Sequence, residues 1–274
     1  MLPYFKRYVI ICCVAAAAVP LIASTIWPLL TGQIMAASLP GLITLLVLFF
    51  GTMAAMQRVM GMKAQVETER LFALYNEQCD PDALIDQGAP VAALVEPQCG
   101  ELPSWFMSYY AQALLDAGQV ERAQAVKATQ LGGVASLKKP EARAAVVVNM
   151  VPLALKLDEP VDALGLIEQG EGLLEGLADD ASAQRRAYLA SQRELVSARC
   201  AEDPQGLLDL CEQVRANAEH PLRLRVERAW DEAQACYRLG DAARERACLE
   251  FVVEHGNKLA LVTPARTRLA ALGE

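Results

Sequence analysis

Residues 109–126 read YYAQALLDAGQVERAQAV, and this stretch decides the fold. Ala, Leu, Gln, Glu and Arg dominate it, all good helix formers, and apolar residues do not alternate with polar ones as in a strand. Gly118 breaks the run in the manner of a helix-ending glycine. A second helix then starts, with the small residue Ala123 early in it. A small side chain there lets two antiparallel helices approach closely. The segment therefore predicts a helical hairpin.

The same pattern recurs along the chain. It is found in LYNEQCDPDALI from Leu74, LLDAGQVERAQAV from Leu114, ALKLDEPVDALGLI from Ala154, ARCAEDPQGLLDLC from Ala198 and CYRLGDAARERACLEF from Cys236. The small residues assigned to the second helices are Ala83, Ala123, Ala163, Gly206 and Ala247, with separations of 40, 40, 43 and 41 residues. Asp80-Pro81, Glu159-Pro160, Asp203-Pro204 and Thr263-Pro264 place Pro at a first helical position. A period near 41 residues means stacked helical hairpins, whose terminal unit needs a cap. A last helix over Pro264–Leu272 is expected to supply it.

The stretches from Tyr109 to Val126 and from Ala235 to Phe251 resemble the tetratricopeptide-repeat (TPR) family. Ala111, Leu114, Gly118 and Ala123 match that family's small, large, turn and small positions, over a region of about Arg70 to Gly256. The resemblance implies a superhelix of helix–turn–helix units that binds protein partners. The period departs from the family's roughly 34 residues, and Glu245 stands where a small residue is expected. On period alone a HEAT-like helical repeat is an alternative.

The N-terminal part has a different composition. From Tyr8 to Gln57 there is no Asp, Glu, Lys or Arg, whereas helices of a globular core keep a polar face. The expectation is a transmembrane hairpin at 1–60, with spans of about 8–28 and 39–57, followed by a repeat domain at 61–274. Thr31-Gly32-Gln33 would form its turn, and Trp27 an interfacial anchor. A cleaved signal peptide fits less well, because a second apolar run follows at once. Lys6 and Arg7 precede the first span and Arg58, Lys63 and Arg70 follow the second. The positive-inside bias then predicts an integral membrane protein of the bacterial cell membrane, with both termini cytoplasmic.

From Gly61 onward 22 basic residues face 33 acidic ones, a net charge of −11. That balance argues against nucleic acid, which needs a concentrated positive surface. Of eight cysteines, none has C-x-x-C spacing. Cys200 with Cys211 and Cys236 with Cys248 straddle helix turns, and in a reducing compartment they are buried thiols. His220 and His255 each lie at a helix end, where a cation favours the helix dipole. The sequence carries no H-E-x-x-H, G-x-S-x-G or phosphate-binding glycine loop. No enzyme, cofactor, metal site or small-molecule substrate is expected.

Candidate partner-binding residues are Arg185, Arg186 and Arg193 on one helix with Arg223, Arg225 and Arg228 on a later one. Stacked repeats would align them into a basic strip for an acidic peptide or anionic headgroups. The simpler reading pairs them with Glu219, Glu227 and Asp231. Trp105, Phe106, Tyr109 and Tyr110 form a dense aromatic group, at a spacing commoner in cores than in binding platforms. Trp230 is also expected in the core, and Gly165–Gly176 reads as a helix end or linker. The function expected is that of a membrane-anchored scaffold binding a protein partner. The alternative is an accessory subunit of a larger transport or envelope complex, associating through the spans.

Overall fold

Helices start and stop where the sequence supplies the chemistry. Asp80 accepts a hydrogen bond from the amide of Ala83 at 3.0 Å, and Asp241 one from Arg244 at 3.0 Å, each capping a helix start. Pro81, Pro140, Pro160 and Pro204 open helices, where a missing amide hydrogen costs nothing. Gly118 and Gly240 end helices at φ of 75° and 74°, a region that disfavours other residues.

The computed structural model describes residues 3–31, 39–200 and 204–272, without the side chains of 3–9, 12, 29–31, 39–40, 57, 60, 61 and 64. The expected turn at Gly32-Gln33, the thiol of Cys12 and the Asp203 cap lie outside the described residues. All described elements are helical, and besides a short 3-10 turn at Val134–Ser136 there are twelve α-helices. They are α1 (Pro3–Thr31), α2 (Leu39–Asn76), α3 (Pro81–Val95), α4 (Glu101–Asp116), α5 (Val120–Gly133), α6 (Pro140–Lys156), α7 (Pro160–Leu174), α8 (Asp180–Cys200), α9 (Pro204–Ala216), α10 (Leu222–Leu239), α11 (Ala242–His255) and α12 (Val262–Ala271). Gly165, Gly170 and Gly172 are inside α7 rather than in a linker. Gly170 is buried, and a Cβ there would lie 3.0 Å from Leu189 Cδ1.

The chain divides into two compact units, Met1–Arg70 and Leu71–Glu274. In the first unit Ile10, Val14, Leu21, Ile22, Leu46, Val47 and Phe50 are exposed. Among the described residues, however, no helix is long and apolar enough to cross a membrane. The expected transmembrane hairpin and the integral-membrane localisation are corrected accordingly.

The second unit consists of repeated helical hairpins. The end of α2 is followed by α3, and α4 packs on α5, α6 on α7, α8 on α9 and α10 on α11. Successive first helices stack, α4 on α6 and α6 on α8. Burial corrects the register of the second helices. Their fourth residues are Leu84, Ala123, Ala163, Leu207 and Glu245, and all five are buried. Gly206 and Ala247, assigned to this position from spacing, are exposed. Helix starts, not a small side chain, therefore set the common position.

Glu245 is buried because it meets the cap. Arg268 of α12 donates from Nε to its carboxylate at 2.6 Å and lies 4.1 Å from the Tyr237 ring centroid. At the other end the unit closes on itself. Lys258, after α11, donates its backbone amide to Cys79 O at 3.2 Å and its ammonium to Asp80 at 2.8 Å. Asn257 Nδ2 donates to Gln78 O at 2.8 Å.

Two consequences are measurable. A Cβ at Gly133 would lie 2.6 Å from Cys99 Cβ, so Gly133→Ala should destabilise the fold by about 1–3 kcal/mol in denaturant titration. Burial pushes the thiols of Cys79, Cys211 and Cys248 up to about 12, whereas Cys200 is exposed. In the native chain N-ethylmaleimide should modify Cys200 and spare those three until denaturant is added, as read by peptide mass spectrometry.

Candidate functional site

The first helices of the hairpins expose their inner faces to a cavity of about 1040 Å³ within the second unit, lined mainly by α4, α6, α8 and α10. The aromatic run on α4 splits across it. Phe106 and Tyr110 point into the core, both 4% exposed, with ring centroids 6.1 Å apart. Trp105 and Tyr109 line the cavity and pack against Phe72 of α2 at 4.7 and 4.4 Å. Tyr188 of α8 and Trp230 of α10 line it too. Trp230 is thus half-buried on the wall and not in the core.

The floor of the cavity is an ionic network joining four helices. Lys156 Nζ stands 2.8 Å from Asp116 Oδ2, 2.7 Å from Glu227 Oε1 and 3.1 Å from Tyr75 Oη. Tyr75 donates to Asp116 at 2.6 Å. Arg223 donates to Glu227 at 2.8 Å, to Gln112 Oε1 at 3.2 Å and to Asn76 Oδ1 at 3.1 Å, with its guanidinium 4.6 Å from the Tyr75 ring centroid. Burial opposes the charge on Glu227, but Arg223 and Lys156 outweigh it and hold the carboxyl well below the usual range. Burial likewise opposes the Lys156 ammonium, and Glu227 and Asp116 reverse the effect and keep it charged. The phenols of Tyr75 and Tyr188 are raised by burial and stay neutral.

Beside this network a second cluster joins α8 to α10. Arg199 Nη2 donates to both carboxylate oxygens of Asp231, at 2.9 and 2.7 Å, and Arg228 Nη1 donates to Oδ2 at 2.5 Å. Further along, Arg185 pairs with Glu101 at 2.6 Å.

The six arginines expected to form a strip are divided by the fold. Arg185, Arg223 and Arg228 line the cavity. Arg186 donates to the carbonyls of Leu174 and Leu177, closing the end of α7. Arg193 pairs with Glu171 at 2.6 Å. Arg225 donates to Arg215 O at 2.9 Å and lies 5.6 Å from the Phe251 ring centroid. Of the acidic residues considered as their partners, Glu227 and Asp231 pair with Arg223 and Arg228. Tyr75, Asp116, Lys156 and Arg199 escaped the sequence reading altogether. His255 ends α11 against the Phe251 ring at 4.5 Å. Among the described residues no group of three His, Cys, Asp or Glu is placed to hold a metal.

Comparison with family models, with curated proteins and with solved structures found no match for this chain.

The floor network makes acid stability a direct readout. With its pKa depressed in the folded state, Glu227 contributes stability above the unfolded value of about 4.3 and loses it as pH falls further. The native chain should weaken below that pH. Glu227→Gln should flatten this acid limb and cost about 3 kcal/mol at pH 7, because it strips Lys156 and Arg223 of a buried counter-charge. Urea titrations of both chains between pH 3 and 7 check both effects.

Proposed function

We propose that this chain is a non-enzymatic scaffold whose second unit, a TPR-like helical-repeat domain, takes a segment of a protein partner into its cavity. The cavity carries the reading. At about 1040 Å³ it stands at the upper end of the roughly 300–1,000 Å³ of ligand pockets, with room for several side chains of an extended segment. Trp105, Tyr109, Tyr188 and Trp230 stand on its wall with arginines and amides, and Trp, Tyr and Arg dominate binding hot spots. Helical-repeat proteins use their concave surfaces for recognition, although fold alone does not assign function. The assignment to a TPR-like array rests on the hairpin turns at 117–119 and 240–241, while the longer period sets it apart from regular members.

The state of the cavity's ionisable groups speaks against a general base or nucleophile at Lys156, Tyr75 or Tyr188. Lys156 is held as an ammonium and Tyr75 and Tyr188 as phenols. A general base or nucleophile needs the opposite, a pKa moved toward neutrality. The acidic balance of the chain also supports a protein partner over nucleic acid.

Selection of a random-peptide library on the full chain tests this. Selected peptides should bind with about micromolar Kd and lose at least about tenfold, roughly 1.4 kcal/mol, on Trp105→Ala or Tyr188→Ala. Tyr237→Ala, on an aromatic that does not line the cavity, should leave them unchanged. Peptides indifferent to the cavity variants, or no selected peptides, would refute the reading.

A further inference from the structure

The cavity is lined by six cations, Lys156, Arg185, Arg199, Arg223, Arg228 and Arg238, against five carboxylates, Glu101, Asp116, Asp158, Glu227 and Asp231. In the floor network two cations, Lys156 and Arg223, meet two carboxylates, Asp116 and Glu227. Arg185 is matched by Glu101. At the α8–α10 contact, by contrast, Arg199 and Arg228 share the single carboxylate of Asp231. One positive charge is left over there, within a chain of net charge −8.

Hydrogen bonding marks the same place. The Nε–H of Arg199 is buried and meets no acceptor, a condition that costs about 1–3 kcal/mol. Its Nη2 is committed to Asp231 on both oxygens. A guanidinium has five N–H donors in a planar fork and no acceptor capacity. Arg238 lines the cavity from the same helix, seven residues beyond Asp231, with no acidic partner among the described residues. A concave wall of low polarisability focuses the field of such a surplus on whatever enters.

We propose that Arg199 and Arg228, supported by Arg238, form an oxyanion subsite of this cavity that takes an acidic side chain of the partner segment. The proposal rests on the peptide-binding reading above and adds its specificity. A carboxylate entering here neutralises the surplus charge and accepts from the guanidinium N–H groups that Arg199 and Arg228 do not commit to Asp231. Charge-assisted hydrogen bonds of this kind are about twice as strong as neutral ones. The ring of Trp230, on the same wall, gives the residue beside the acid an apolar contact. Asp231 holds both guanidiniums in place and so acts as the positioning residue.

The test uses the full chain and peptides from the random library. Asp or Glu should be enriched at one position, and its replacement by Asn or Gln should weaken binding about tenfold, or roughly 1.4 kcal/mol. Arg199→Gln and Arg228→Gln should each impose a similar loss on the acidic peptide and almost none on its amide counterpart, the signature of a direct coupling. Each variant leaves Asp231 one arginine, and an unchanged thermal midpoint confirms folding. Peptides that bind at the cavity without an acidic position, or that tolerate the amide, would overturn the subsite and leave the peptide-binding reading standing. If the library yields no peptide, inorganic phosphate decides the subsite alone. A saturable shift of the Arg199 Nε–Hε resonance that Arg228→Gln abolishes supports it, and no shift up to about 50 mM phosphate at low salt refutes it.

Discussion

Lys156 Nζ lies between the carboxylates of Asp116 and Glu227 at 2.8 and 2.7 Å, with Tyr75 Oη at 3.1 Å. Four helices meet at that ammonium, and they come from widely separated parts of the chain. A solenoid contacts only its neighbouring repeats in the simplest case. Here the N-terminal end of α10 returns to the C-terminal ends of α2, α4 and α6. A buried ion pair repays its desolvation only when its geometry and remaining hydrogen bonds are good. Tyr75, Gln112 and Asn76 supply those bonds around the two cations. The network thus sets the curvature of the unit, because the cavity wall can have only the shape that keeps these groups in reach.

The contact between Lys258 and Asp80 has a different weight. Half of the lysine side chain is exposed, and the pair is screened by solvent. It fastens the turn after α11 to the start of α3, but burial does not amplify it. The closure of the unit therefore depends chiefly on the inner network. The exposed pair trims the rim.

The hairpins were legible in the sequence because their signals are local. Asp80, Gly118, Gly240 and the prolines act within a few residues of themselves, and the helices begin and end beside them. Register was less legible, since Gly206 and Ala247 are small without being buried. The small-residue rule holds at Ala123 and Ala163, whereas Leu84, Leu207 and Glu245 fill the same position. Glu245 looked like a defect of the repeat until Arg268 supplied its partner. Such a pairing joins α11 to α12, and no pattern inside one hairpin announces it.

The cavity was the least legible part, although one signal was available. Asn76, Asp116 and Lys156 are the last residues of α2, α4 and α6, so they share one position of the repeat. Laid over the repeat near 41 residues, three polar groups at one position mark an inner ladder. Seeking basic residues by clustering along the helices instead picked Arg186, Arg193 and Arg225, whose partners are Leu174 O, Glu171 and Arg215 O. Clustering measures how many charges are near one another, whereas recognition depends on which of them remain unmatched. Arg199 illustrates the difference. It lies six residues beyond Arg193 on the same helix and shares Asp231 with Arg228, and its buried Nε–H meets no acceptor. The surplus at the α8–α10 contact follows from which carboxylates the fold delivers there, and that is a property of the packed repeats.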